Sequence, residues 1–115
     1  MTNHKIIGNA GETIAQNYLQ TQGCTITQRN YHSRFGEIDI IAESDDSLLF
    51  IEVKYRKNER FALATESITP SKQQKMLLTI ETYLQEFPTN KPLRIDLITI
   101  IGQEPFQITW LKNIF

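Results

Sequence analysis

Two apolar runs, Gly36-Glu37-Ile38-Asp39-Ile40-Ile41-Ala42 and Leu48-Leu49-Phe50-Ile51-Glu52-Val53-Lys54-Tyr55, flank the polar segment Glu43-Ser44-Asp45-Asp46-Ser47. Short runs of isoleucine, leucine, valine and phenylalanine broken by serine and aspartate read as the two strands of a hairpin. The same runs carry Asp39, Glu52 and Lys54 where core residues should stand. An ionised side chain is costly to bury alone, so each must pair internally, meet solvent at a strand end or hold a cation.

The register of that hairpin decides what these charges can do together. If the chain turns through Asp45 and Asp46, then Ser44 faces Ser47, Ile41 faces Phe50, Asp39 faces Glu52 and Glu37 faces Lys54. The last three pairs then project from one side of the sheet, because side chains alternate along a strand. An even-length turn keeps this register, whereas an odd-length turn without a bulge sends the two acids to opposite faces. Directly opposed residues have Cβ atoms about 4.5 to 5.5 Å apart, so the two carboxylates can converge on one point. They repel there unless one is protonated or a cation offsets the charge. Lys54 is one available cation. A divalent ion such as magnesium is another, since it favours oxygen ligands, takes one or two protein carboxylates and keeps several waters. A lysine beside such an ion can orient an attacking water or stabilise charge growing on a phosphate. The spacing alone serves equally well a cross-strand Glu37–Lys54 ion pair, with Asp39 and Glu52 exposed at the sheet end.

The rest of the chain supplies what the hairpin packs against. Asn9 or Gly8 opens a helix that runs to Gly23, with Ile14, Ala15, Tyr18 and Leu19 forming its apolar arc. Residues 24–31 alternate as a short strand, and residues 57–68 lack periodicity and read as a connection. Thr69 as N-cap and Pro70 at the first helical position open a second helix, which Pro88 stops. Leu77, Ile80, Leu84 and Phe87 line one face of it. Residues 93–101 form a strand, 102–105 a turn, and Phe106, Ile108 and Trp110 alternate through a last strand. The order αβββαββ predicts one domain over residues 1–115, an α/β or α+β sandwich with a mixed central sheet and flanking helices.

With 115 residues, 40% hydrophobic and 10% aromatic, the chain can build one core without disulfides or structural metal. Cys24 is the single cysteine, which excludes an internal disulfide framework and a cysteine-rich zinc site. Met1 is followed by polar residues rather than a signal core, and no apolar stretch approaches the roughly 20 residues that cross a bilayer. A soluble protein of the reducing cytoplasm is expected. Net charge of −1 and pI near 6.1 give no overall electrostatic case for nucleic acid. Charge is segregated locally, however: Lys54, Arg56, Lys57 and Arg60 crowd one end of the hairpin, and Glu43, Asp45 and Asp46 the other. Such a hairpin can present its basic end to an anion, or simply end in a solvated loop.

The runs Phe35-Gly36-Glu37-Ile38-Asp39-Ile40-Ile41 and Phe50-Ile51-Glu52-Val53-Lys54-Tyr55-Arg56 closely resemble the YraN-like family of small bacterial proteins. That family looks like a branch of the PD-(D/E)XK nuclease superfamily, near the archaeal Holliday junction resolvases. The likeness extends to Gly11-Glu12-Thr13-Ile14-Ala15, Asn30-Tyr31, Thr69-Pro70-Ser71-Lys72-Gln73 and Asn113-Ile114-Phe115. It implies a restriction-endonuclease-like core and a Mg2+- or Mn2+-dependent endonuclease that hydrolyses phosphodiester bonds in DNA, branched DNA included. Residue by residue, it makes Asp39 and Glu52 metal ligands, Lys54 the catalytic lysine and Glu12 the helix-borne acid of the resolvase-like branch. Ile38 stands where the superfamily has its leading proline.

In helical projection Glu12 lies beside Ala15 and Leu19, at the margin of the apolar arc, where it can aim at the sheet end. Without the family it reads as a glutamate stabilised by the helix macrodipole. Lys72 and Gln73, in the first turn of the second helix, are candidates for phosphate contact. Arg34, Arg56 and Lys57, with Arg29, are candidates for tracking a nucleic-acid backbone. Asp96 reads as structural, paired with Arg94 or a helix lysine. His4 and His32 are isolated, and Tyr31, Tyr55 and Trp110 read as core aromatics. DNA is the implied partner, with a homodimer by analogy to resolvases, since a four-way junction needs two cuts. The alternative is a non-catalytic nucleic-acid-binding or partner-binding module that keeps the nuclease fold. The acidic pI favours that alternative, and the intact acids and lysine oppose it.

Overall fold

A strand that is apolar at successive positions must be covered on both faces, and residues 48–51 and 97–98 belong to such strands. The computed structural model describes residues 4–56, 68–102 and 105–114, and for 4–9 the backbone alone. In it these residues form the middle of a five-stranded mixed sheet with one helix on each face, a small compact α+β arrangement. The elements are α1 (His4–Thr21), β1 (Thr25–Ser33), β2 (Gly36–Glu43), β3 (Leu48–Arg56), α2 (Pro70–Glu86), β4 (Leu93–Ile101) and β5 (Gln107–Leu111), in the expected order. The strands lie side by side in chain order. β3 and β4 are parallel, and the other neighbours are antiparallel. Parallel neighbours need a long crossover, and α2 lies within it.

Alternation along the strands divides the core in two. Ile40, Ala42, Leu49, Ile51, Ile98 and Ile100 face Ala15 and Leu19 of α1. Ile38, Ile41, Leu48, Phe50 and Ile95 face Met76, Ile80 and Tyr83 of α2. Trp110 sits on the α1 side, edge-on to Tyr18 at 6.2 Å between ring centroids, while Tyr31 meets Tyr83 edge-on at 5.2 Å on the other. Tyr31 is buried in the core, and Trp110 is half-buried and packs against it.

Each helix is delimited by recognisable chemistry. α1 ends in a Schellman motif: Gly23, at φ +90°, donates to the Gln20 carbonyl, and Cys24 N–H donates to the Leu19 carbonyl. Its start lies at His4, earlier than Gly8 or Asn9, because glycine costs a helix only about 1 kcal/mol and does not stop one. Thr69 accepts from Lys72 N–H as N-cap of α2, with Pro70 following it. The buried face of α2 is Met76, Thr79, Ile80 and Tyr83, and Leu77 and Phe87 are exposed. The expected face is thus displaced by one residue, since apolar side chains occupy two adjacent rows and the sheet accepts only one. The connection expected over 57–68 lies outside the described residues except for Ile68, as do Lys57 and the His4 side chain.

Asp96 is fully buried in β4 and fully occupied. Arg94 donates to both its oxygens, at 2.9 to 3.2 Å, Trp110 Nε1 donates to Oδ2 and Asn113 N–H donates to Oδ1, each at 2.8 Å. This network, with the Ile114 N–H bond to the Ile95 carbonyl, ties the end of the chain to the sheet. No helix among the described residues is long and apolar enough to cross a membrane.

Candidate active site

The β2–β3 hairpin turns through Asp45 and Asp46, with Ser44 N–H donating to the Ser47 carbonyl at 3.0 Å. Ser44 Oγ caps the turn by donating to Asp46 and accepting from Ser47 N–H. The ladder that follows pairs Glu43 with Leu48, Ala42 with Leu49, Ile41 with Phe50 and Ile40 with Ile51. It has the expected register, and it stops one step before Asp39 and Glu52. There the Val53 amide, which a continued ladder would hand to a β2 carbonyl, donates to Asp39 Oδ2 at 2.8 Å. A side chain has taken the place of a backbone acceptor, and the strands part around the acidic pair.

A second irregularity falls at the same point. Asn30 of β1 has φ +54° and lies between the pairs Arg29–Ile40 and Tyr31–Ile38. Asparagine tolerates this left-handed conformation better than most side chains. Ile38 and Ile40 would share a face in a regular strand, yet Ile38 packs toward α2 and Ile40 toward α1. Asp39 therefore sits where β2 changes face.

The parted strands open a cleft of about 350 Å³ lined by Gly36, Glu37, Asp39, Glu52, Thr69, Ser71, Lys72, Lys75 and Met76. The N-terminus of α2 forms its other wall and adds the positive end of the helix dipole. Glu52 is buried, and its Oε1 accepts from Lys72 Nζ at 2.5 Å and lies 3.3 Å from Lys54 Nζ. Burial first, and the Glu52 charge second, push the Asp39 carboxyl up from its ordinary 3.8 to about 8. The Val53 hydrogen bond only partly offsets this, and Glu12 and Glu37 add to it. Burial disfavours the Lys72 ammonium, but its hydrogen bond to Glu52 and the charges of Glu52 and Asp39 together outweigh that and hold its pKa above the usual lysine value.

The fold thus brings Asp39, Glu52, Lys54 and Lys72 together. The ion pair weighed for Glu37 and Lys54 does not form: Glu37 lies 3.3 Å from His32, and Lys54 serves Glu52. Glu12 is buried on the α1 side, where Arg29 Nη2 lies 3.4 Å from its Oε2. Among the described residues no group of three or more acids, histidines or cysteines stands close enough to hold a metal ion. Asp39 and Glu52 nevertheless form a hard two-carboxylate donor set, and this fits magnesium or manganese, which complete their shells with water.

Arg34 is exposed at the β1–β2 turn, its guanidinium 4.8 Å from the Phe35 ring centroid, and lines a neighbouring hollow with Leu78, Glu81 and Gln85. Arg56 ends β3, its carbonyl accepting from Gly102 N–H at 3.0 Å. Gln73 stands in the first turn of α2, its amide bonded to the Thr69 carbonyl at 2.9 Å. The cleft residue that the sequence reading missed is Lys75. Its spacing of one helical turn from Lys72 was the signal available.

Residues 11–100 match the model of a family described as "Uncharacterised protein family UPF0102". The chain belongs to the UPF0102 family. A UPF0102 protein of Neisseria gonorrhoeae is 50% identical over 113 residues, covering 97% of this chain and 96% of its own. One from Neisseria meningitidis is 48% identical over 113 residues, with 97% and 96% covered. One from Nitrosococcus oceani is 44% identical over 115 residues, with 97% and 93% covered. UPF0102 proteins of this length therefore match the chain almost end to end, and the family match spans α2 and every strand of the cleft. The YraN-like resemblance drawn from the sequence motifs agrees with this membership.

Proposed function

We propose that this UPF0102 protein is a metal-dependent endonuclease of the PD-(D/E)XK type, with a restriction-endonuclease-like core, that hydrolyses phosphodiester bonds in DNA. The observation that carries the reading is the Asp39–Glu52 pair, held where the β2–β3 ladder parts, with Lys54 beside Glu52 and a helix N-terminus opposite. A fold gains nothing from raising a carboxyl to about 8 unless a cation repays the repulsion.

Asp39 and Glu52 are the residues to hold Mg2+ or Mn2+, and Glu12 is the third acid that the resemblance supplies. The cation contributes charge at the scissile phosphate and acidifies water. Lys54, half-buried on the same strand as Glu52, is placed to orient the attacking water and to stabilise negative charge on the phosphate. Lys72 and Gln73, at the positive end of the α2 dipole, can hold a phosphate by side-chain contacts. Arg34, Arg56 and Lys57 supply further cations for the DNA backbone. Cleavage of a four-way junction needs two such sites, which a homodimer provides.

The test is a panel of branched, flapped, single-stranded and duplex DNA incubated with magnesium or manganese. Wild type is expected to cleave at least one structure, and Glu52→Gln to lose that activity while retaining its far-UV circular dichroism. No cleavage by wild type of any substrate would overturn the proposal. The net charge of −1 favours a second reading, a non-catalytic nucleic-acid-binding or partner-binding module. DNA binding that falls steeply with salt yet survives Asp39→Asn, without cleavage, would select it.

A further inference from the structure

Two ammonium groups converge on one oxygen of Glu52. Lys54 approaches from the same strand at 3.3 Å, and Lys72 reaches across from α2 to 2.5 Å. One ion-paired lysine is enough to balance one carboxylate. The second therefore stands in for charge that the cleft, with Asp39 alongside, would otherwise lack.

We propose that Lys72 is a displaceable counter-cation: it pairs with Glu52 in the metal-free protein, and gives way to a divalent cation to meet a substrate phosphate instead. The inference rests on the metal-site reading given above and adds a residue that couples metal to nucleic acid. Three observations carry it. Both lysines hold the same oxygen, Oε1, so a divalent cation bound to Glu52 would stand within a few ångströms of the Lys72 ammonium, and the repulsion between the two cations opposes their sharing the carboxylate. Glu52 is left with Lys54 when Lys72 departs, so displacement does not strand a buried charge. The move requires no backbone change, because the Lys72 amide is fixed by the Thr69 cap at 3.1 Å and only a long, one-third-exposed side chain must swing.

The direction of the swing follows from its anchor. Lys72 is in the first turn of α2, whose positive dipole end faces the cleft. A phosphate placed there draws the ammonium off Glu52, which favours the metal, and a metal at Glu52 releases the ammonium to the phosphate. The two ligands must then strengthen each other by the same factor.

The experiment is calorimetric titration of Mn2+ alone into wild type, Lys72→Gln, Lys72→Arg and Lys75→Gln at one pH and ionic strength. Lys72→Gln should bind Mn2+ more tightly by about 5-fold or more, within the usual range of coupling between sites. Lys72→Arg keeps the competing charge and should not gain. Lys75→Gln removes an equal charge from the same cleft without a bond to Glu52, and should stay near wild type. If Lys72→Gln binds no tighter than wild type, Lys72 is not a competitor and the inference is overturned. Equal tightening in Lys75→Gln would assign the effect to general charge and also overturn it. Absence of Mn2+ binding in every variant would instead overturn the metal site beneath it. Lys72→Met, with the same expected gain, replaces the glutamine variant if that protein fails to fold.

Discussion

Asp96 in β4 and Asp39 in β2 are carried inside one sheet, yet Asp96 accepts from Arg94, Trp110 and the Asn113 backbone, whereas Asp39 accepts from the Val53 amide and faces a second carboxylate. The first acid is closed on every side and ties the chain end to the sheet. The second lines a cleft and keeps part of its bonding capacity in reserve. Burial alone therefore does not distinguish the two acids in this fold. The distinction lies in whether neighbouring donors use up its oxygens, because an under-bonded acid beside a like charge is costly unless a ligand completes it.

The contrast breaks most severely at Asp96. Asp96→Ala would leave the Arg94 charge, the Trp110 indole N–H and the Asn113 amide without their acceptor, and should destabilise the fold by about 3 to 5 kcal/mol in urea unfolding. A loss below about 1 kcal/mol would show that the network is not structural.

Asp39→Asn should do the reverse. The Asp39 carboxyl stands at about 8 in the folded chain against 3.8 ordinarily, so the folded state holds a proton that the unfolded state releases. Its contribution to stability is full below pH 3.8 and declines as pH rises toward about 8, where it is lost. In EDTA, the melting temperature of Asp39→Asn relative to wild type should therefore climb across that window, with a gain on the order of 1 kcal/mol or more by pH 9. Metal affinity should fall at least about 100-fold, beyond the range seen when only a ligand's supporting residue is removed. A parallel pH profile for the two proteins would sink the idea of a strained acid.

Trp110→Phe probes the closed site more gently. It removes one of the donors to Asp96 while keeping the ring against Tyr18, and should cost about 1 kcal/mol with no change in Mn2+ affinity.

Much of the fold was legible locally. The Ser44–Ser47 turn, the hairpin register, the Thr69–Pro70 helix start and the Gly23 helix end each depend on residues close in the chain, and each appears as its chemistry requires. The buried row of α2 was not legible, since Leu77 and Met76 are equally apolar and the helix's own period cannot choose between adjacent rows. Glu12 shows the same limit. Its helix position allowed it to aim at the sheet end, where its charge acts on Asp39, but its pairing with Arg29 on β1, distant in the chain, could not be read locally.

An even-length turn set the register from Glu43–Leu48 to Ile40–Ile51 and so brought Asp39 and Glu52 to the point where the strands part, because strand alternation carries a register outward from its hairpin. Whether those acids would meet a partner was decided by the crossover. α2 had to be seated on the sheet, chiefly against β2 and β1, by Met76, Ile80 and Tyr83 before Lys72 could reach Glu52. No local spacing encodes that distance, since it depends on how side chains far apart in sequence fill one face of the sheet.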